Sequence, residues 1–383
     1  MKREIFTTTN DFELAPHTKN RQSNYLIDNP NKNNGIVVYI PGFGGDLGEY
    51  TNKFCKSITK KYPNYSAMSV EYFCIKSRPQ VGAYIEFEIE DKIKFGEDEI
   101  NKSSEDFIKS INIKSEKSNT HYSLTGTITP PNSDYQNFGI MAALDILNGI
   151  IHAVNKYKLD KDNIILIGSS YGGYIANLVT KLYPGFIRAV FDNSSWANPK
   201  MNYIVGREIN RPEFCYSYND LITLNLFVKS PWTIKANLPN SMEKEKLSIR
   251  SFSDDDLDKM LINGGGKTVY YFCHAKEDFI ADTAEKLKLA QIMISKNFIV
   301  KMDIFDDTDI DGSFIKSMSH GMGLSMITFF DLAFKFLTKV SSEVDLSKIT
   351  DGNKVIEYNY HNSLYRFDYT NTPIKSDILL EQQ

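Results

Sequence analysis

The apolar residues of the chain fall into two patterns, short continuous runs and longer segments with helical spacing. Short, mostly apolar runs predict strands at 35–40, 65–75, 164–167, 187–192, 268–273 and 298–305, and those at 35–40 and 164–167 are expected to be buried. The helical spacing predicts helices at 47–61, 138–157, 282–296 and 326–340, with a further helix directly after residue 170. Strands that alternate with helices form a mainly parallel sheet covered on both faces. The pattern therefore predicts an α/β fold.

Several stretches interrupt this alternation. Residues 84–120 are rich in Glu, Lys, Asn and Ser, and residues 193–266 carry both tryptophans of the chain. An alternating stretch at 354–369 indicates a β-hairpin. We predict one domain over residues 1–383, with an opening hairpin within 1–28, a surface insertion at 84–120, a cap insertion at 193–266 after the sixth strand, and a C-terminal extension at 344–383.

The apolar strand at 164–167 leads into the turn GSSYGG at 168–173, which leads into a helical pattern. A Gly-x-Ser-x-Gly turn between a strand and a helix presents a serine nucleophile at its apex, which is Ser170 here. Gly168 and Gly172 allow the strand and the helix to approach closely. A plain glycine-rich turn is the alternative, and Ser169 lies one position too early for the apex.

A second glycine-rich loop, PGFGGD at 41–46, follows the strand at 35–40. It lacks the Lys-Ser/Thr of a phosphate-binding P-loop and the spacing of a dinucleotide-binding loop. Next to a nucleophilic serine, such a loop supplies one N–H group of an oxyanion hole, and the residue after the serine supplies the other. We predict Phe43 and Tyr171 as these donors, with Gly44 as the alternative to Phe43. A simple tight turn is the other interpretation.

A nucleophilic serine needs a base, and on this kind of sheet the acid and then the histidine follow the serine in the chain. Three of the six histidines precede Ser170. Of the others, His320 lies in a small-residue loop between the last strand and the closing helix, where Gly321 leaves room for a turn. We predict His320 as the base, and a histidine that only caps the helix or faces solvent is the alternative.

The acid is expected after the strand that ends at residue 273. Glu277 and Asp278 both follow it, and Asp278 has the better spacing. Phe279 and Ile280 are then expected to return the chain to the core. Asp192, after the preceding strand, is the second choice for the acid. The aspartates at 303–311 do not have the spacing of a calcium loop and are interpreted as a solvated acidic loop.

Composition excludes several classes of protein. The net charge of −4 argues against a nucleic-acid partner, and no apolar run is long enough to span a membrane. The chain does not start with a secretory signal pattern. Its four cysteines are scattered, and neither they nor the six histidines show metal-binding spacing. We therefore predict a cytoplasmic protein without metal or cofactor, and leave the oligomeric state open.

The segments GSSYGGY at 168–174, LDKDN at 159–163, HAKED at 274–278 and His320-Gly321 resemble the prolyl-oligopeptidase-like branch of the α/β-hydrolases. This resemblance covers about residues 35–340 and implies the α/β-hydrolase fold. The chain lacks the N-terminal propeller of that branch, so oligopeptidase activity does not follow.

Two longer segments, TITPPNSDYQNFGIMAALD at 127–145 and DNSSWANPKMNYIVGREI at 192–209, resemble an α/β-hydrolase-like family encoded in flagellin-modification loci of Campylobacter and its relatives. The resemblance extends over most of the chain. It implies an association with surface-sugar biosynthesis, and it implies no particular reaction.

Together, these observations predict a serine hydrolase that acts on an ester, with Ser170 as nucleophile, His320 as base and Asp278 as the orienting acid. The expected substrate is a small-molecule or glycan ester, most simply an O-acyl carbohydrate or glycoconjugate. Transfer of the acyl group to a sugar hydroxyl remains open. The alternatives are a non-catalytic accessory or binding protein on the same scaffold and a small serine peptidase.

Substrate contacts are predicted from Trp196, Arg207 and Gly44. Aromatic faces suit sugar rings, and the arginine fork binds carboxylates, which acidic surface sugars carry. In the alternative interpretation, Trp196 belongs to the core and Arg207 pairs with Glu208 or Glu213.

Overall fold

The computed structural model describes residues 1–31, 34–347 and 354–380. Its strands are β1 Lys2–Thr8, β2 Arg21–Asp28, β3 Ile36–Ile40, β4 Ser66–Val70, β5 Tyr84–Glu86, β6 Tyr122–Thr129, β7 Ile164–Ser169, β8 Ala189–Asn193, β9 Phe214–Asn219, β10 Ile222–Val228, β11 Val269–Ala275, β12 Ile299–Phe305, β13 Val355–Tyr360, β14 Ser363–Asp368 and β15 Lys375–Leu380. Its α-helices are α1 Glu49–Lys61, α2 Ile89–Lys92, α3 Ser104–Ser118, α4 Ile140–Tyr157, α5 Tyr171–Leu182, α6 Asn202–Val205, α7 Lys244–Ile249, α8 Asp254–Ile262, α9 Thr283–Ser295 and α10 Met326–Glu343.

The main sheet has eight strands in the order β1-β2-β4-β3-β7-β8-β11-β12. All pairs from β4 to β12 are parallel, whereas β1 and β2 join one edge as the predicted antiparallel hairpin. Strands β3, β4, β8 and β11 are buried along their whole length, as expected for strands of a parallel sheet covered on both faces. The predicted α/β fold with a mainly parallel central sheet is confirmed.

Helices cover this sheet on its two faces. Residues of α1 and α10 share one apolar cluster with alternate residues of β3, β7, β8 and β11. Helices α4 and α5 pack against each other, α4 also against β1, β2 and β4, and α5 also against β3, β7 and β8. Because β7, β8 and β11 are parallel neighbours, their carboxyl ends lie side by side at one edge of the sheet. Strand β7 leads into α5 through a one-residue turn, whereas β8 and β11 lead into longer loops.

The chain divides into two compact units, where the sequence predicts one domain with insertions. Residues 74–138 and 200–243 form the second unit, and the first contains the rest. The second unit has its own sheet, β5-β6-β10-β9, in which β6 and β10 are parallel. Both predicted insertions contribute to this unit. However, β6 lies outside 84–120, and α7 and α8 belong to the first unit although they lie within 193–266.

The C-terminal extension forms a three-stranded antiparallel sheet of β13, β14 and β15, one strand more than the predicted hairpin. Tyr358 and Tyr369 donate hydrogen bonds to the carbonyl oxygens of Lys181 and Leu182 at the end of α5. Of the predicted extension, residues 348–353 and 381–383 lie outside the described part of the chain.

Within the described residues, the structure contains no helix with the length and apolar character needed to cross a bilayer.

One buried carboxylate of the second unit generates a prediction about stability. Glu213 forms an ion pair with Arg78, and both side chains are nearly inaccessible. Burial raises the pKa of Glu213 from 4.5 to about 7, and Arg78 opposes this shift without cancelling it. Between these two pH values the folded protein holds a proton that the unfolded chain has released, so the free energy of unfolding decreases as the pH rises.

Replacing Glu213 with glutamine removes this titration. The free energy of unfolding of Glu213→Gln, relative to that of the wild type, should therefore rise as the pH increases from 4.5 to about 7. Urea denaturation over this pH range measures the difference. The control Glu105→Gln changes a carboxylate with a side chain 78% exposed, and its free energy of unfolding should stay within about 0.5 kcal/mol of the wild-type value. A flat difference for Glu213→Gln would contradict the buried, titrating carboxylate.

Candidate active site

Ser170 stands at a strained turn between β7 and α5. Its backbone has φ 55° and ψ −123°, a conformation that residues with a Cβ rarely adopt. The turn is held from both sides, because Ser170 N–H donates to the carbonyl of Asn193 over 2.7 Å and the carbonyl of Ser170 accepts from Tyr174 N–H over 3.1 Å. The structure thus gives Ser170 the backbone geometry of a turn apex.

Two glycines make this turn possible. A Cβ on Gly168 would collide with the backbone of Gly172, and a Cβ on Gly172 would collide with the carbonyl oxygen of Ile40 on the neighbouring strand β3. The first turn of α5 therefore crosses β3 and β7 in direct backbone contact. The position of Ser170 follows from this crossing.

The structure brings together the three residues predicted from chain order. The Oγ of Ser170 lies 2.7 Å from Nε2 of His320, and Nδ1 of His320 lies 2.8 and 3.1 Å from the two carboxylate oxygens of Asp278. An ionised carboxylate only accepts, so Nδ1 carries a proton and the neutral imidazole has Nε2 available as an acceptor for the serine hydroxyl. The arrangement can transfer a proton from Ser170 to His320.

Asp278 is buried and still favours its ionised form. Burial raises the pKa of its carboxyl, but hydrogen bonds from His320 and from the N–H groups of Ile280 and Ala281 outweigh burial and hold the pKa below its usual value. These two backbone bonds are 2.9 and 3.0 Å long. The rival carboxylate, Glu277, is exposed.

The sequence predicts that Phe279 and Ile280 return the chain to the core after Asp278. This prediction is wrong. Phe279 is 96% exposed and Ile280 is 48% exposed. The Asp278 carboxylate accepts from the N–H groups at 280 and 281, and this local turn keeps the chain at the surface. A cavity of about 390 Å³ lies beside it, lined by Lys276, Glu277, Phe279, Asp306, Asp307, Thr308 and Met318.

Asp192, the second choice for the acid, is engaged elsewhere. Its carboxylate accepts from Lys286 Nζ and Ser195 Oγ, each over 2.6 Å, and from the Asn177 amide over 2.7 Å. The Lys286 ammonium also lies 4.2 Å from the centre of the Phe272 ring. Asp192 therefore serves a buried ion pair at the carboxyl end of β8.

Sequence reasoning missed His274 as a neighbour of the acid. Its Nδ1 lies 3.7 Å from the Asp278 carboxylate and 3.1 Å from Thr283 Oγ1. Burial lowers the pKa of His274, and Asp278 raises it by a smaller amount. His274 is therefore packed behind Asp278 in a buried position that disfavours its protonated form. In the sequence, the four-residue separation of His274 and Asp278 was the available indication of this contact.

The loop predicted to complete an oxyanion hole lies against the serine turn. A Cβ on Gly42 would come within 2.7 Å of the Ser169 carbonyl oxygen and 3.2 Å of Ser170 Cβ. The Phe43 ring stacks on that of Tyr171, with centroids 4.3 Å apart and planes 9° apart. Gly44 follows with φ 80°. The roles of Phe43, Gly44 and Tyr171 as donors stay predictions.

Trp196 packs beside the imidazole of His320. It is 1% exposed, and its indole N–H donates to the carbonyl of Ile280 over 2.7 Å. Its ring centre is 5.9 Å from the rings of both His320 and Phe43. This placement agrees with the alternative that Trp196 belongs to the core, because a buried ring offers no open face to a sugar.

Arg207 belongs to the second unit. It donates to Thr127 Oγ1 over 2.7 Å, pairs with Asp91 at 3.4 Å and lies 5.1 Å from the centre of the Phe227 ring. Its acidic partner is thus neither Glu208 nor Glu213. It lines a cavity of about 290 Å³ together with Glu88, Thr127, Val205, Glu208, Val228, Lys229, Ser230 and Trp232.

Across residues 1–31, 34–347 and 354–380, no three His, Cys, Asp or Glu side chains are grouped to bind a metal ion.

The sheet order and the serine turn define a protein of the α/β-hydrolase fold. The chain belongs to the family described as "Protein of unknown function (DUF2920)", whose model matches residues 3–378. A comparison with curated protein sequences found no significant match.

Several solved structures align with the chain. A Pyrococcus horikoshii acylaminoacyl peptidase aligns at 14% identity and a TM-score of 0.45, over 89% of this chain and 41% of that one. Est1E from Butyrivibrio proteoclasticus, with ferulic acid bound, aligns at 10% identity and a TM-score of 0.42, over 84% and 95% of the two chains. A Bacillus cereus carboxylesterase aligns at 12% identity and a TM-score of 0.39, over 83% and 94%. The chain spans about two fifths of the acylaminoacyl peptidases.

The buried pair of Asp192 and Lys286 generates the next prediction. Asp192→Asn should lower the free energy of unfolding by about 3–5 kcal/mol, because it leaves an ammonium group buried without its counter-charge. Urea denaturation measures this loss, and the double variant Asp192→Asn/Lys286→Met should recover much of it.

The control is an exposed pair of the same chemistry. Asp258 lies 2.5 Å from Lys296, with its side chain 54% exposed. Asp258→Asn should cost less than about 1 kcal/mol. Equal losses of unfolding free energy in Asp192→Asn and Asp258→Asn would contradict the prediction, because burial would then not make the Asp192 pair more costly to break than an exposed pair.

Proposed function

We propose that the protein is a serine hydrolase that cleaves esters. One observation carries this proposal, the continuous contact from Ser170 Oγ through His320 to the carboxylate of Asp278, with bonds of 2.7 and 2.8 Å. A serine at a strained turn, a histidine in its acceptor tautomer and an ionised buried acid are the parts that nucleophilic acyl transfer requires. A purely structural hydrogen-bond chain would not require the strained backbone of Ser170.

The proposed reaction has two steps. Ser170 Oγ attacks the acyl carbon while Nε2 of His320 takes its proton, and the same proton then passes to the alcohol as the ester bond breaks. Water next attacks the acyl-enzyme, giving its proton to His320, which returns it to Ser170 as the acid leaves. In both steps Asp278 holds the imidazole tautomer and stabilises the imidazolium.

The oxyanion of each tetrahedral intermediate needs N–H donors. We assign these to Tyr171, at the first turn of α5, and to Phe43, with Gly44 as the alternative. The closeness of Gly42 to the serine turn supports a donor from this loop. Loss of one donor should cost about 3 kcal/mol of transition-state stabilisation.

A fluorophosphonate probe tests the nucleophile. The purified protein should be labelled at Ser170, and Ser170→Ala should not be labelled, because the probe reacts with an activated serine hydroxyl. Asp278→Asn should react roughly 10⁴-fold more slowly, since the imidazole then loses its correct tautomer. Mass spectrometry of the labelled peptide identifies the modified residue.

The matched control is Ser169→Ala, which removes the neighbouring hydroxyl and should still be labelled. Absence of labelling in the intact protein would favour the alternative, an accessory or binding protein on a hydrolase scaffold. Labelling accompanied by cleavage of peptides and not of esters would favour the small serine peptidase.

Within this class, we propose an O-acyl carbohydrate or glycoconjugate as substrate, linked to surface or flagellin glycan modification. The resemblance of residues 127–145 and 192–209 to the flagellin-locus family supports this choice. The same acyl-enzyme would also serve acyl transfer if a sugar hydroxyl replaced water. Arg207, whose side chain is 40% exposed, is the proposed contact for a sugar carboxylate.

A panel of acylated neutral sugars, acylated nonulosonic acids and aryl esters tests the substrate class. Arg207→Ala should lose activity selectively on the acidic sugars, because only these carry a carboxylate for the guanidinium. Arg366→Ala is the control, since it removes an arginine of similar exposure from the C-terminal sheet. Equal loss on all substrates, or none, would contradict the role of Arg207.

A further inference from the structure

One buried amide connects the strand of the nucleophile with the loop of the base. Asn193 is the last residue of β8, with β7 on one side and β11 on the other. It pairs with Ser169 in β7 and with Cys273 in β11. Its carbonyl accepts from Ser170 N–H over 2.7 Å. The backbone of Asn193 therefore already supports the serine turn.

The side chain of Asn193 reaches the base loop. Its Nδ2 group donates to Ser169 Oγ over 3.1 Å and to the carbonyl of Gly321 over 3.2 Å. Its Oδ1 accepts from Ser194 Oγ over 3.0 Å. A backbone carbonyl only accepts, so the amide nitrogen must face Gly321, and the amide orientation is fixed.

Gly321 is the residue directly after His320, and it has φ 76°. The loop closes on itself through a bond of 2.7 Å from Met322 N–H to the Ser319 carbonyl. The bond to Asn193 fastens this closed loop to the sheet edge at the residue next to the base. Asn193 is 1% exposed, so water does not compete for the bond.

The chemistry of the side chain fits this task. Two donors and an acceptor on one uncharged plane are available from an amide and not from a hydroxyl or carboxylate. An aspartate would set an acceptor against the Gly321 carbonyl and place a charge in a buried position.

We infer that Asn193 is a positioning residue that sets the location of His320 relative to Ser170. This inference rests on the proposed serine-hydrolase function. Because an error of 1 Å in catalytic geometry can cost about 100-fold in rate, an amide that fixes both sides of the Ser170–His320 contact has a large effect without touching substrate.

The test compares Asn193→Ala and Asn193→Asp with Asn148→Ala. Asn148 is a matched control, a buried amide on α4 that is 2% exposed and bonds to Thr8, Thr9 and the carbonyl of Leu144. The rate of fluorophosphonate labelling, the kcat and KM on a short acyl ester, and the urea midpoint are measured for each variant.

Both Asn193 variants should lose about 100-fold in labelling rate and in kcat. Their KM should stay within about twofold of the wild-type value, since substrate binding does not involve this amide. Asn148→Ala should lose stability and keep its rates. If Asn193→Ala does not fold, the near-isosteric and uncharged Asn193→Leu decides, because it fills similar space and lacks the Nδ2 donor.

Rates within about threefold of wild type in a folded Asn193 variant would overturn the inference, because a misplaced base costs far more. An equal loss of rate in Asn148→Ala would also overturn it, since the effect would then come from stability alone. Failure of the wild type itself to label at Ser170 is a separate outcome, and it refutes the proposed function.

Discussion

The close crossing of β3, β7 and the first turn of α5 is the constraint on which the site depends. Gly168 and Gly172 allow backbones to meet where any side chain would collide. This contact leaves Ser170 with a positive φ and directs the chain from strand to helix within one residue. The strain is supported by the surrounding sheet, because the carbonyl of Asn193 on the next strand holds Ser170 N–H.

The parallel sheet then places the remaining groups near this serine. Strands that run in the same direction end at the same edge, so the loops after β7, β8 and β11 are neighbours although they lie up to about a hundred residues apart in the chain. Asp278 follows β11, and His320 comes from the loop before α10. Chain order could therefore indicate the serine, acid and histidine from sequence, because the topology converts order into position.

Other features could not be derived in this way. The strands β6 and β10 alternate apolar and polar residues, which was a readable signal, but their parallel pairing joins segments separated by 100 positions. Arg207 pairs with Asp91, which is 116 residues away in the chain, whereas the sequence suggested the nearby Glu208 and Glu213 as its acidic partners. Burial decides the remaining cases. Trp196 faces the interior, whereas Phe279 stays outside because the Asp278 carboxylate binds the backbone that follows it.

The two carboxylates at the ends of neighbouring strands show how surroundings divide similar groups between different tasks. Asp192, on β8, forms an ion pair with Lys286 from α9, and the lysine ammonium balances the charge of its carboxylate. Asp278, after β11, meets two backbone N–H groups and one imidazole. A lysine would hold its carboxylate permanently, whereas an imidazole can gain and lose a proton. The position of Lys286 thus leaves Asp278 as the acid available to orient His320.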